Sequence, residues 1–124
     1  MSSKILVVED NEKNRMLIKD VLEYYGYQVL EAGNGVEGIA VAKEHRPDLI
    51  FMDIQMPVMD GVSAAKIIKS DPAIKGTRMI ALTSFAMKGD KERFLEAGFD
   101  DYIAKPINTR VLPKIVKKYT KSKV

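Results

Sequence analysis

Acidic residues at two distant points of the chain, Glu9-Asp10 and Asp53, each directly follow a short apolar run: Ile5-Leu6-Val7-Val8 in one case, Leu49-Ile50-Phe51-Met52 in the other. Three carboxylates brought together repel, so near neutral pH they either hold protons or bind a cation. A donor set made only of oxygens suits Mg2+ or Mn2+ far better than zinc or copper. Once a cation neutralises the cluster, Asp53 can attack a phosphoryl group as a carboxylate nucleophile. Further polar residues follow apolar runs in the same way: Thr83 and Ser84 after Met79-Ile80-Ala81-Leu82, and Lys105 after Tyr102-Ile103-Ala104. Lys105 would balance phosphoryl charge and the Thr83 hydroxyl would donate to a phosphoryl oxygen. Ser84 is small, leaves the approach open, and offers its backbone N–H.

These residues can meet only if the elements that carry them are arranged for it. Apolar runs without a wet face alternate with amphipathic stretches, as buried strands alternate with surface helices do. Strands are expected at 5–8, 27–30, 48–52, 79–82 and 101–104, and helices at 12–25, 35–45, 62–70, 89–97 and from about Thr109, with a turn at 57–61. Gly26 and Gly98 supply helix stops. Five strand–helix units in succession predict an α/β fold, a parallel sheet with helices on both faces. In such a sheet ligands bind beyond the carboxyl ends of the strands. Glu9, Asp10, Asp53, Thr83, Ser84 and Lys105 all fall at those ends. Each alone has a plainer explanation, Glu9 and Asp10 as helix caps and Lys105 as a surface lysine. Their shared register outweighs it.

The bulk properties narrow the possibilities. The chain's 124 residues fit one domain, 1–124, with no linker or repeat. It has no cysteine, which excludes disulfides and thiolate metal sites, and no apolar run approaches a membrane span. A soluble cytoplasmic protein without membrane insertion is the expectation. The net charge of +3 is concentrated late, at Arg110, Lys114, Lys117, Lys118, Lys121 and Lys123. With no aromatic interleaving or DNA-reading motif, these predict a solvated final helix and no direct nucleic-acid contact. The one histidine, His45, lies in a charged stretch before Pro47 and makes neither a triad nor a metal site. The methionines Met52, Met56, Met59 and Met87 read as core or loop fillers.

Val8-Glu9-Asp10-Asn11, the run from Met52-Asp53 through Met56-Pro57 to Asp60-Gly61, Leu82-Thr83-Ser84, and Asp101-Tyr102-Ile103-Ala104-Lys105-Pro106 together resemble the receiver domain of two-component response regulators. The resemblance spans essentially the whole chain. It implies a flavodoxin-like (βα)5 fold with strand order 2-1-3-4-5. It implies that Asp53 accepts a phosphoryl group from a histidine kinase or histidine phosphotransfer protein. It further implies that Glu9, Asp10 and Asp53 hold Mg2+ with the backbone carbonyl of Gln55, that Thr83 and Tyr102 form a coupled switch, and that Lys105 binds the phosphate. Residues Phe85 to Asp90 also resemble DivK-type single-domain regulators and receivers attached to hybrid kinases. A receiver ending at its fifth helix carries no output domain, so its signal would leave through the surface of helix 4, strand 5 and helix 5 to a protein partner, or by further phosphotransfer. A monomer is expected.

Two residues sit awkwardly in this pattern: Pro113 near the start of the last helix, where it would disturb the first turn, and bulky Phe85 beside Ser84. Lys105-Pro106 is a candidate cis peptide. A metal-dependent aspartyl-phosphate phosphatase is the competing enzyme reading, but Asp53-Ile54-Gln55 lacks the second aspartate at that spacing and no cap insertion is present. A flavin carrier is disfavoured because acids, not a phosphate-cradling loop, follow the first strand.

Overall fold

In the computed structural model, residues 3–84 and 89–120 are described. Five strands, β1 (Lys4–Val8), β2 (Gln28–Ala32), β3 (Leu49–Asp53), β4 (Arg78–Thr83) and β5 (Asp101–Ala104), alternate with α1 (Glu12–Tyr24), α2 (Gly35–His45), α3 (Gly61–Ser70), α4 (Asp90–Ala97) and α5 (Val111–Thr120). All strand pairs are parallel and the order is β2-β1-β3-β4-β5. This is the expected flavodoxin-like arrangement.

The pleat divides the apolar runs between two cores. Ile5, Val7, Leu49, Phe51, Ile80, Leu82 and Ile103 pack under α1 and α5, against Ile18, Leu22, Leu112 and Val116. Their neighbours Leu6, Val8, Ile50, Met52, Met79 and Ala81 pack on the other face, against Ala42, Ala64, Ala65, Ile68, Phe94 and Ala97 of α2, α3 and α4. Both faces of the central strands are buried, so those strands show unbroken hydrophobicity instead of alternation.

Three helices start on side-chain caps. Asn11, Asn34 and Asp60 accept hydrogen bonds from the N–H groups of Asn14 at 3.0 Å, Glu37 at 2.9 Å and Ser63 at 2.8 Å. The cap of α1 is therefore Asn11, not Glu9 or Asp10, which removes the plainer explanation for those two acids. Most boundaries shift by a residue or two. β3 runs one residue further than expected, so Asp53 is its last member, and α3 starts at Gly61. Pro113 does not disturb α5: it is the third helical residue, and first-turn N–H groups lack intrahelical acceptors in any helix. The Lys105–Pro106 peptide is cis, as expected. Phe85 lies outside the described residues, as do Met87 and the terminal basic residues Lys121 and Lys123.

Candidate phosphoacceptor and metal site

The sheet register assembles the site. Val8 pairs with Met52, so one step further along the sheet Glu9 stands opposite Asp53. Asp53 pairs with Leu82, Thr83 with Ala104, and the Lys105 N–H continues the ladder to the Thr83 carbonyl at 2.7 Å. Residues more than 90 positions apart in sequence are thereby brought to one edge of the sheet.

The pleat also sorts their directions. Glu9, Asp53 and Lys105 continue the series Val7, Phe51 and Ile103, so they share one parity. Thr83 continues the opposite series of Met79 and Ala81, and Tyr102 packs on that same face against Phe94, with ring centroids 6.1 Å apart. Tyr102 lies beside Ala81 in the register, and that small side chain leaves room for its ring. The acid–lysine group and the Thr83/Tyr102 pair thus occupy alternate faces of neighbouring strand ends.

Glu9 is fully buried and Asp53 nearly so, whereas Asp10 is exposed. One carboxylate oxygen from each lies within 4.8 Å of the others. The Lys105 ammonium bridges two of them, with Nζ 2.8 Å from Glu9 Oε1 and 3.0 Å from Asp53 Oδ2. The second Asp53 oxygen, Oδ1, accepts the Gln55 N–H at 3.1 Å. Burial pushes the Glu9 carboxyl above the usual range, and the neighbouring Asp53 carboxylate adds to this against the pull of Lys105. For Lys105 burial acts downward, but its bonds to Glu9 and Asp53 outweigh it and hold the ammonium above its ordinary pKa.

A divalent cation fits this donor set. Three carboxylates face a single ammonium, so negative charge is left over among hard oxygen ligands of the kind a divalent cation takes. No nitrogen or sulfur donor competes: the chain has no cysteine, and His45 is exposed at the end of α2, its imidazole 3.9 Å from Glu44. Thr83 is buried and Ser84 is exposed in the bend that follows it. All the strand-end residues singled out from the sequence thus lie at the carboxyl end of the sheet.

Residues 5–117 match the family pattern described as the response regulator receiver domain. The chain belongs to that family. This receiver domain is 43% identical over 119 residues to the polar-differentiation response regulator DivK of Brucella anthropi, an alignment covering 96% of this chain and 97% of that one. Among solved structures it superposes on the receiver domain of the sensor histidine kinase PA1611 from Pseudomonas aeruginosa, with TM-score 0.89 and 36% identity over 98% of this chain and 99% of that one. That structure has a magnesium ion coordinated in its active-site cleft. It also superposes, with TM-score 0.92 and 31% identity, on the receiver domain of the response regulator Ssk1 of Saccharomyces cerevisiae, covering 98% of this chain and 91% of that one. That receiver is in co-crystal with the histidine phosphotransfer protein Ypd1. The receiver domain is a two-component signalling module, and no described helix is long and apolar enough to cross a membrane.

Sequence reasoning missed the supports of the site. Gly61 donates its N–H to the Ile54 carbonyl at 2.9 Å, and a Cβ on it would overlap the Asp53 carbonyl oxygen, so α3 can start against β3 only with glycine there. Arg15 donates to the Glu9 carbonyl from the first turn of α1. The signal for Gly61 was in plain view, as the residue after the Asp60 cap. That for Arg15 was not, since an arginine on an amphipathic helix ordinarily faces water.

Proposed function

We propose that this receiver domain is a phosphorylation switch whose acceptor is Asp53, loaded by a histidine kinase or a histidine phosphotransfer protein. The observation that carries this reading is the juxtaposition of three carboxylates within 4.8 Å with the Lys105 ammonium bonded to two of them. Glu9, Asp10 and Asp53, with the Gln55 backbone carbonyl, would hold Mg2+ or Mn2+. When bound, the cation offsets the carboxylate repulsion and withdraws charge from phosphoryl oxygens.

The transfer is a displacement at phosphorus. An Asp53 carboxylate oxygen attacks the phosphoryl group of a donor phosphohistidine, an O–P bond forms, the P–N bond breaks, and the imidazole nitrogen leaves with the electron pair. Lys105 pairs with the charge on the transferred group. The Thr83 hydroxyl and the Ser84 backbone N–H donate to its oxygens. Drawing Thr83 toward the phosphoryl group changes its packing at the end of β4, and Tyr102, on the same face, follows. Phosphorylation thereby favours one of two packings of the α4–β5–α5 surface, to which a protein partner responds.

The 43% identity to DivK, named a polar-differentiation response regulator, supports a regulatory role for this receiver domain. Passing the phosphoryl group on to a phosphotransfer protein is a second use of the same aspartyl phosphate, and the structural neighbour Ssk1 is in co-crystal with a protein of that class, Ypd1. Incubation with Mg2+ and acetyl phosphate should add one phosphoryl group by intact mass. Asp53→Asn should abolish the addition. Labelling of that variant at another residue would refute the assignment, and sustained turnover of small phosphate esters would support the phosphatase alternative.

A further inference from the structure

Glu9 is held at its backbone and at both carboxylate oxygens. Its N–H donates to the Ala32 carbonyl at 3.0 Å, continuing the β1–β2 ladder. Its Oε1 accepts from Lys105 Nζ at 2.8 Å and from Asn14 Nδ2 at 3.4 Å, and its Oε2 accepts the Asn11 N–H at 3.3 Å. Its main-chain carbonyl, one residue past the end of β1, accepts from Arg15 Nη1 at 2.7 Å. The same guanidinium donates through Nε to Glu31 Oε1 at 3.2 Å, so Arg15 ties the first turn of α1 to β2 across the Glu9 backbone.

That carbonyl belongs to the peptide unit joining Glu9 to Asp10. Because the unit is planar, fixing its oxygen fixes the direction in which both flanking residues leave the strand. One charge-assisted bond therefore sets the backbone from which two of the three carboxylates project. Arg15 does this at little electrostatic expense to a bound cation, because Glu31 neutralises its guanidinium, while Lys19, 4.0 Å from the other Glu31 oxygen, is itself paired with Glu23 at 3.8 Å. A lysine could not do the same, because an ammonium is a point charge without the planar fork that spans two acceptors.

We propose that Arg15, anchored by Glu31, is a positioning residue for the divalent-cation site and sets its affinity through the Glu9–Asp10 peptide. The proposal rests on the reading that a cation binds among Glu9, Asp10 and Asp53. The test is a titration of backbone amide resonances with MgCl2 on the unphosphorylated protein, comparing wild type, Arg15→Ala, Arg15→Lys and Glu31→Gln, with Ile68→Val as a core control far from the site. Stability of each is measured separately by urea unfolding. Arg15→Ala should raise the Kd for Mg2+ at least fivefold and Arg15→Lys at least twofold, although the latter keeps the charge. Glu31→Gln should raise it as well, while Ile68→Val should leave it unchanged. Wild-type affinity in a folded Arg15→Lys or Glu31→Gln variant overturns the proposal, even if Arg15→Ala does not fold. Equal weakening in Ile68→Val overturns it too, because loss of stability alone would then account for the effect. If wild type itself shows no Mg2+ shifts around Glu9, Asp10 and Asp53, the reading of the site fails first, and the proposal with it.

Discussion

Glu9 is a fully buried acid whose carboxyl is pushed upward by burial and by Asp53. Its folded pKa lies above the unfolded value of 4.5, so its proton leaves the native state later than the unfolded one. The associated stability is complete below pH 4.5 and is lost as pH rises through the raised native value. Glu9→Gln should therefore flatten the stability–pH profile above that point in EDTA and leave the metal-free fold at least as stable at neutral pH. Urea unfolding at pH 5 and pH 7.5 tests this, and an unchanged profile would contradict it. Lys105 acts in the opposite sense. Its removal strands the Glu9 and Asp53 carboxylates together, and breaking a fully buried pair costs about 3–5 kcal/mol. Because Lys105 remains partly exposed, about 1–3 kcal/mol is expected for Lys105→Ala without metal, and Mg2+ should recover part of it. The types of these residues were legible from the chain, since acids and a lysine after apolar runs have few uses. That a single ammonium serves both Glu9 and Asp53 depended on register.

At the scale of elements, the β3–α3 junction is a tight backbone approach beside Asp53, the proposed acceptor. With Gly61 packed on the Asp53 carbonyl, Gly61→Ala must push α3 away or displace the end of β3. Overpacking of this kind costs about 1–3 kcal/mol, so a lowered unfolding midpoint and slower acetyl phosphate labelling of Asp53 should appear together. A normal labelling rate would show that the displacement is absorbed by α3 alone. At the other end of the sheet, α5 is fastened through Tyr119, whose hydroxyl donates to Asp101 Oδ2 at 3.0 Å. Burial, then the bond to Asp101, push its phenol up to about 12 from 10.0. The native state thus keeps a proton that the unfolded state releases, and stability falls between pH 10 and 12. Tyr119→Phe should remove that part of the fall, measured by unfolding midpoints across the window. Asp101 also accepts the Tyr102 N–H at 2.8 Å, so this anchor touches the strand that carries the proposed switch.

For the molecule as a whole, binding of a cation to the folded state alone raises stability by mass action, about 2.7 kcal/mol at a concentration one hundred times the Kd. Mg2+ should raise the thermal midpoint of wild type and do so much less in Glu9→Gln, whereas Ca2+-free chloride salts of monovalent ions should not reproduce the effect. Hydrophobic patterning by itself determined the five strand–helix units, because buried strands and amphipathic helices leave distinct local periodicities. The same runs dictated that Glu9, Asp10, Asp53, Thr83, Ser84 and Lys105 would stand at carboxyl strand ends. Boundaries such as the inclusion of Asp53 in β3 and the harmless first-turn place of Pro113 needed the backbone hydrogen bonds, which local sequence only partly specifies. Tertiary structure alone decided which ends are neighbours, and with that the meeting of Glu9 with Asp53, the sharing of Lys105, and the placing of Tyr102 on the Thr83 face. Arg15 was decided there as well, since its acceptors, Glu9 just past β1 and Glu31 within β2, are bridged by α1 only after the sheet has formed. The physical reason is that periodicity is a property of short windows of chain, whereas strand order and register come from packing between windows far apart.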